Sequence, residues 1–258
     1  MKRKAGFLQI LGVLIVAIAV LKIYGNITGN SGNLDLYTVG MFIIPVAVAL
    51  IMRKLLSMGY DFEWRDRGLS KKTAFAFIYI VFVGIAFVLI NFMSIPSGAL
   101  GSPKPETILF LAASCIMTGI FEETVFRGII QNMVAEISDT PIRAVVISSA
   151  IFGIVHILNL IAAPQMVIGT LTQVIYTFSL GMILGVIYMC RGKIIEVILL
   201  HAIFNFMGQF TAVFLSSAPS SAPKSDLTLT AALIQLAFML PCIWIAVRTY
   251  RKNISIQK

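Results

Sequence analysis

Charge is scarce in this chain. Lys, Arg, Asp and Glu make up only 12% of its 258 residues, where an average soluble protein carries about 25%. Apolar residues take 59%, and the mean hydropathy is +0.95. The scarcity excludes a soluble globular domain, a disordered chain and a coiled coil, which all need more polar surface. Cysteine is scarce as well. Cys115, Cys190 and Cys242 lie inside apolar runs without CxxC spacing, which argues against a disulfide framework or a metal knuckle. No basic cluster is interleaved with exposed aromatics, so the net charge of +9 does not point to nucleic acid. There is no HExxH helix and no duplicated half of the kind expected in an inverted-repeat transporter.

What is abundant is uncharged sequence in lengths that suit a bilayer core, about 20 residues each. The reading is an all-α polytopic membrane protein of about eight transmembrane helices, forming a single integral membrane domain over 1–258. Met1-Lys2-Arg3-Lys4 precedes an apolar run from Ala5 to about Tyr24. Its length and the lack of a small-x-small site favour a retained span over a signal peptide. Further spans are expected near Leu36–Met52, Thr73–Met93 and Thr107–Glu136, the last running on past Glu122 and Glu123. Ser138-Asp139-Thr140-Pro141 reads as a helix restart. From Ala144 to Cys190 there is no Asp, Glu, Lys or Arg. That run is too long for one helix, so Asn159 to Pro164 is expected to turn between spans five and six. Spans seven and eight follow at Ile194–Leu215 and Leu227–Val247, joined by the Ser/Pro-rich 216–225.

Eight spans put both termini on one side. Lys22, Lys104 and Lys224 then fall on the opposite side from the other 17 of the 20 cations. By the positive-inside tendency both termini are expected to be cytoplasmic. Gly181-x-x-x-Gly185 reads as ordinary close helix packing.

Ionisable side chains inside a bilayer are costly and often functional. Three acids lie outside the loops: Glu122, Glu123 and, at a span's start, Glu196. The two histidines, His156 and His201, both sit within apolar runs. Glu123 and Arg127 are four residues apart, with the acid on the N-terminal side, the favourable order for an ion pair. Glu122 lies elsewhere around the helix with no local cation, and suits a general base. Phe152 and His156 share a helix face, as do His201 and Asn205. One membrane histidine is commonly a helix–helix hydrogen bonder, and one Glu–Arg pair can be structural glue. Two histidines, a spare glutamate and an amide on three spans point to a site. Glu196, close to Arg191 and Lys193, reads as a dipole or interface contact.

These residues also carry a resemblance. Glu122-Glu123-Thr124-Val125-Phe126-Arg127 matches EExxxR, Phe152-Gly153-Ile154-Val155-His156 matches FxxxH, and His201-Ala202-Ile203-Phe204-Asn205 matches HxxxN. In this order they resemble the CPBP or Abi family (CAAX proteases and bacteriocin-processing enzymes, type II CAAX prenyl endopeptidase-like). The resemblance covers a catalytic core of about 107–206. It implies an intramembrane endopeptidase with Glu122, His156, His201 and Asn205 as catalytic residues. Glu122, assisted by His156, would deprotonate a water that attacks the scissile carbonyl. His201 and Asn205 would donate to the oxyanion. Glu123, Arg127 and Phe152 would support them from behind.

The family is often called a metalloprotease, and Glu122, His156 and His201 could ligate zinc. Ligation would cost Glu122 its role as free base, so catalysis without a cofactor is the favoured expectation. Expected partners are the lipid bilayer and a membrane-associated peptide or protein, and no nucleic acid. The expected location is a bacterial plasma membrane. Counting 1.5 Å per residue, Glu122 and His201 lie about 8 and 10 Å inside the cytoplasmic edge of a ~30 Å core, and His156 about 20 Å. The first turns of the His156 helix are therefore expected to project into the cytoplasm, with the site opening there. Two other classes compete: a non-proteolytic scaffold or regulator for a membrane partner such as a sensor kinase, and a small-solute or proton-coupled transporter.

Overall fold

A computed structural model describes residues 6–28, 35–58, 64–93, 101–138, 140–214 and 226–255. The basic N-terminal tetrapeptide, the 216–225 segment, Lys224 and Asp139 lie outside them. Among the described residues every element is helical. Helices α1 (Phe7–Thr28), α2 (Leu36–Met41), α3 (Ile43–Ser57) and α4 (Lys71–Met93) precede α5 (Pro105–Val125). A wide π turn, Phe126–Gln131, carries α5 into α6 (Asn132–Ile137). Then come α7 (Pro141–Ile154), a 3₁₀ turn at Val155–Leu158 and α8 (Asn159–Ala162). The chain closes with α9 (Val167–Arg191), α10 (Ile194–Gln209), α11 (Leu229–Met239) and α12 (Pro241–Ser255).

Among the described residues seven stretches are long and apolar enough to cross a membrane. The chain is an all-α integral membrane protein. The expected seventh span is where length falls short: α10 has 16 residues, about 24 Å of α-helix. A 3₁₀ turn at Phe210–Phe214 continues it. Two expected spans are broken into pairs of helices next to prolines. Pro45 follows the break between α2 and α3, and Pro241 opens α12, because a proline cannot donate to the preceding turn. Asn159 to Ala162 is still helical, so the turn between spans five and six falls at 163–166 rather than 159–164.

The sequence dictates the caps. Pro105 and Pro141 occupy first turns, where no N–H is needed. Asp35 accepts from Thr38 N at 2.7 Å and Thr228 from Ala231 N at 3.2 Å. Gly192 ends α9 in the left-handed region with φ +67°, its N–H donating to Tyr188 O at 2.7 Å. A Cβ there would also collide with Trp64 O.

α9 is the central helix. It packs along α7, α12 and α11, while α10 lies against α5 and α4. Close α7–α9 approach uses the small residues read from the sequence: a Cβ on Gly181 would stand 2.9 Å from Ser149 Cβ, and one on Gly185 the same distance from Val145 Cγ1. Around this core, α1, α3 and α4 present Leu8, Leu55, Ile78 and Met93 outward, as lipid-facing helices do.

The two ends of the bundle differ. At one, Arg191 pairs with Asp66 at 2.7 Å and Glu196 at 2.8 Å, and Lys193 with Asp66 at 3.1 Å. Glu196 is thus an interface contact, as its position suggested. The Gly68 N–H and Lys193 hold the Asp66 carboxyl below its ordinary pKa. Lys72 lies beside Arg248, Arg251 and Lys252 at this end, and Arg53 beside Gly128 and Ile194. At the other end Asp226 accepts from Ile168 N (2.7 Å), Gly169 N (2.8 Å) and Leu227 N (2.7 Å). There too Gly101 N donates to Phe214 O at 2.7 Å.

Candidate active site

The site begins with the helix that carries the two glutamates. Six residues from Phe126 to Gln131 adopt the wide π turn, which breaks the ordinary pattern of backbone bonds. Side chains take up the carbonyls: Ser148 Oγ donates to Phe126 O at 2.7 Å, and Asn132 Nδ2 to Gly128 O at 2.9 Å and Arg127 O at 3.1 Å. Gln131 Nε2 donates to Gly185 O at 3.0 Å. The turn is thus clamped to α7 and α9.

Directly before it, Glu123 is fully buried. Its Oε1 accepts from Arg127 Nη1 at 2.9 Å, the pair read from the four-residue spacing. The same oxygen accepts from His201 Nδ1 at 2.6 Å. The spacing gave no sign of this second bond, which crosses from α5 to α10. A carboxylate can only accept, so Nδ1 carries hydrogen and Nε2 is the free edge of His201. That Nε2 lies 3.5 Å from Glu122 Oε2. Glu123, His201 and Glu122 therefore form one chain from a dry interior to the partly exposed Glu122.

His156 stands on the 3₁₀ turn after α7. Its Nδ1 donates to Phe152 O at 2.8 Å, since a carbonyl cannot donate, and this leaves Nε2 available. Phe152 is buried between the two imidazoles. Its ring meets His156 edge to face at 5.3 Å and His201 at 5.9 Å, with Arg127 Cζ 4.5 Å from its centroid. The ring thus spaces both imidazoles and covers the guanidinium.

Glu122, His156, His201 and Asn205 all line one cavity of about 940 Å³. The structure brings Glu122 and His201 into direct reach of each other. Among the described residues His156 and Asn205 share the cavity without a hydrogen bond to either. Residues the sequence reading passed over also line it: Tyr176, Gln173 and Asn159, the last two joined by a 2.9 Å bond. Polar residues in the uncharged 144–190 run were the available signal. The cavity extends to Asn159, Met166 and Asp226, at the end opposite the Asp66–Arg191 cluster. The sequence reading put its opening at the cation-rich end. Helix direction corrects this: α7 and α10 carry His156 and Asn205 away from that end.

Among the described residues no three His, Cys, Asp or Glu side chains converge as a ligand set. Both Nδ1 atoms are taken, by Glu123 and by Phe152 O, so each imidazole turns its Nε2 edge outward, with the Phe152 ring between them.

Compared with known proteins, residues 104–207 match the family model described as type II CAAX prenyl endopeptidase Rce1-like. The match contains all three motifs, EExxxR, FxxxH and HxxxN. No curated protein and no solved structure matches the chain.

Proposed function

We propose that the chain is an intramembrane endopeptidase in which Glu122 activates water. The observation that carries this is the Glu123–His201–Glu122 chain ending on a cavity, on the stretch that matches a family of peptidases. Only side chains of this chain take part in the steps. Water held by Glu122, and oriented by the free Nε2 of His156, gives its proton to Glu122 as its oxygen bonds to the scissile carbonyl carbon. The carbonyl electrons move onto oxygen. Asn205 Nδ2–H then donates to that oxyanion, as does His201 Nε2–H when both ring nitrogens carry hydrogen, an effect typically worth about 3–4 kcal/mol per donor. The Nδ1 partner of His201, Glu123, fixes the ring plane. Collapse of the adduct breaks the C–N bond, and Glu122 returns the proton to the departing amine. Phe152 and Arg127 are positioning residues, since they act through His156, His201 and Glu123.

The substrate is a peptide segment held at the membrane, in keeping with a site built on membrane-length helices. The test is a membrane proteome comparison of cells carrying the wild type, a deletion or Glu122→Gln. Peptides that accumulate equally in the deletion and in Glu122→Gln are the expected result, with Glu122→Gln still folded. A Glu122→Gln protein that restores the wild-type pattern would favour the scaffold role. Activity of the purified protein is expected to survive chelation. Activity lost on chelation and restored only by zinc overturns the metal-free reading.

A further inference from the structure

The cavity has a floor. From Glu123 to Val134 every residue on the α5–α6 helix is buried, and so is every residue of α9 from Ser179 to Arg191. Ile129, Ile130, Val145, Ile183 and Val197 close the space between them, with exposures of 0%. Of these two buried runs only Leu180, at the upper edge of the α9 run, lines the cavity. The lining residues climb the other way: α5 from Glu122 back to Thr118, the end of α7 and the turn into α8 from Phe152 to Asn159, α10 from His201 to Gln209. They end at Met166, Asp226 and Thr228, where side chains reach solvent.

The closed half is also the cation-rich half. It carries Arg53, the 64–72 segment, Arg191, Lys193 and Arg248. The mouth half carries Lys22 and Lys104 among the described residues. The positive-inside tendency puts the cation-rich end in the cytoplasm. Among its described residues the cavity lining has two carboxylates, Glu122 and Asp226, and no Lys or Arg.

We propose that substrate enters from the extracytoplasmic side, and that the scissile bonds lie in uncharged or basic peptide segments presented from that side. This rests on the proteolytic reading above. It separates this chain from an enzyme that trims tails at the cytoplasmic surface, because the packed floor stands between that surface and Glu122.

Two measurements test it. In intact cells, Gln165→Cys at the mouth end and Arg65→Cys at the cation-rich end are exposed to a membrane-impermeant maleimide. The native cysteines are buried. Labelling of Gln165→Cys without permeabilisation, and of Arg65→Cys only after it, is expected; the reverse pattern overturns the proposal. A quenched fluorogenic peptide of Ala, Leu, Ser and Lys is then added to sealed right-side-out and inside-out vesicles, with Glu122→Gln vesicles as blanks. Cleavage from the right-side-out face, lost from the inside-out face, is expected. Cleavage confined to inside-out vesicles overturns the side of entry but leaves the peptidase. Absence of Glu122-dependent cleavage from both faces and in detergent overturns the peptidase, and the substrate proposal with it.

Discussion

Glu123 Oε1 serves two donors, Arg127 and His201, while Glu123 Oε2 and Arg127 Nη2 are buried without a partner among the described residues. Removing one charge of such a pair leaves the other unpaired in a dry site, a cost of about 3–5 kcal/mol. Glu123→Gln is therefore expected to lower thermal stability by that order. Its amide oxygen still accepts from His201 Nδ1, so part of the activity persists. The double variant Glu123→Gln/Arg127→Met is expected to recover most of the stability, because no lone charge remains. Thermal unfolding in detergent of both variants checks this; a double variant as unstable as the sum of its single changes would refute it. The Glu123–Arg127 pair was legible because helical spacing is local. The His201 bond was not, since it joins residues 78 apart on different helices, and sequence periodicity says nothing of which helices touch. Phe152 is a similar case: its motif position was visible, but not its place between two imidazoles.

At the scale of elements, α9 begins at a carboxylate supplied by another segment. Desolvation pulls the Asp226 pKa up, yet the N–H groups of Gly169, Ile168, Leu227 and Val167 outweigh it and hold it below 3.8. A depressed folded value adds stability that is present above the ordinary 3.8 and lost as pH falls through the lower folded value. Asp226→Asn is therefore expected to speed amide exchange at Ile168 and Gly169 at neutral pH. The difference from wild type should vanish as the solution is acidified well below 3.8. A gap that persists in acid would show that the carboxylate charge is not the cause. The sequence showed most of the helices, through apolar runs and prolines. It did not show the π turn, because no residue type enforces one. The turn depends on Ser148 and Asn132 donating to its displaced carbonyls, which only packing arranges.

At the scale of the molecule, the bundle has a packed half and a hollow half. Exchange protection follows burial and contact density. The 123–134 and 179–191 amides are expected to be the slowest in hydrogen-exchange mass spectrometry, and those around 163–170 among the fastest; equal rates in the two halves would contradict the packed floor. Membrane class and cation asymmetry were legible because composition and loop charge report them directly. The direction of the cavity was not. It depends on where helices diverge, and a residue's depth counted from a loop does not tell which end the space opens to. The packed floor also has an electrical consequence. With water filling the cavity as far as Glu122, a membrane potential, worth about 2.3 kcal/mol per charge per 100 mV, falls across the packed half below it. A proton that Glu122 takes from water then exchanges with the compartment at the mouth and is insulated from the other. A hydrolytic site can in this way sit deep within a bilayer without becoming a leak for protons.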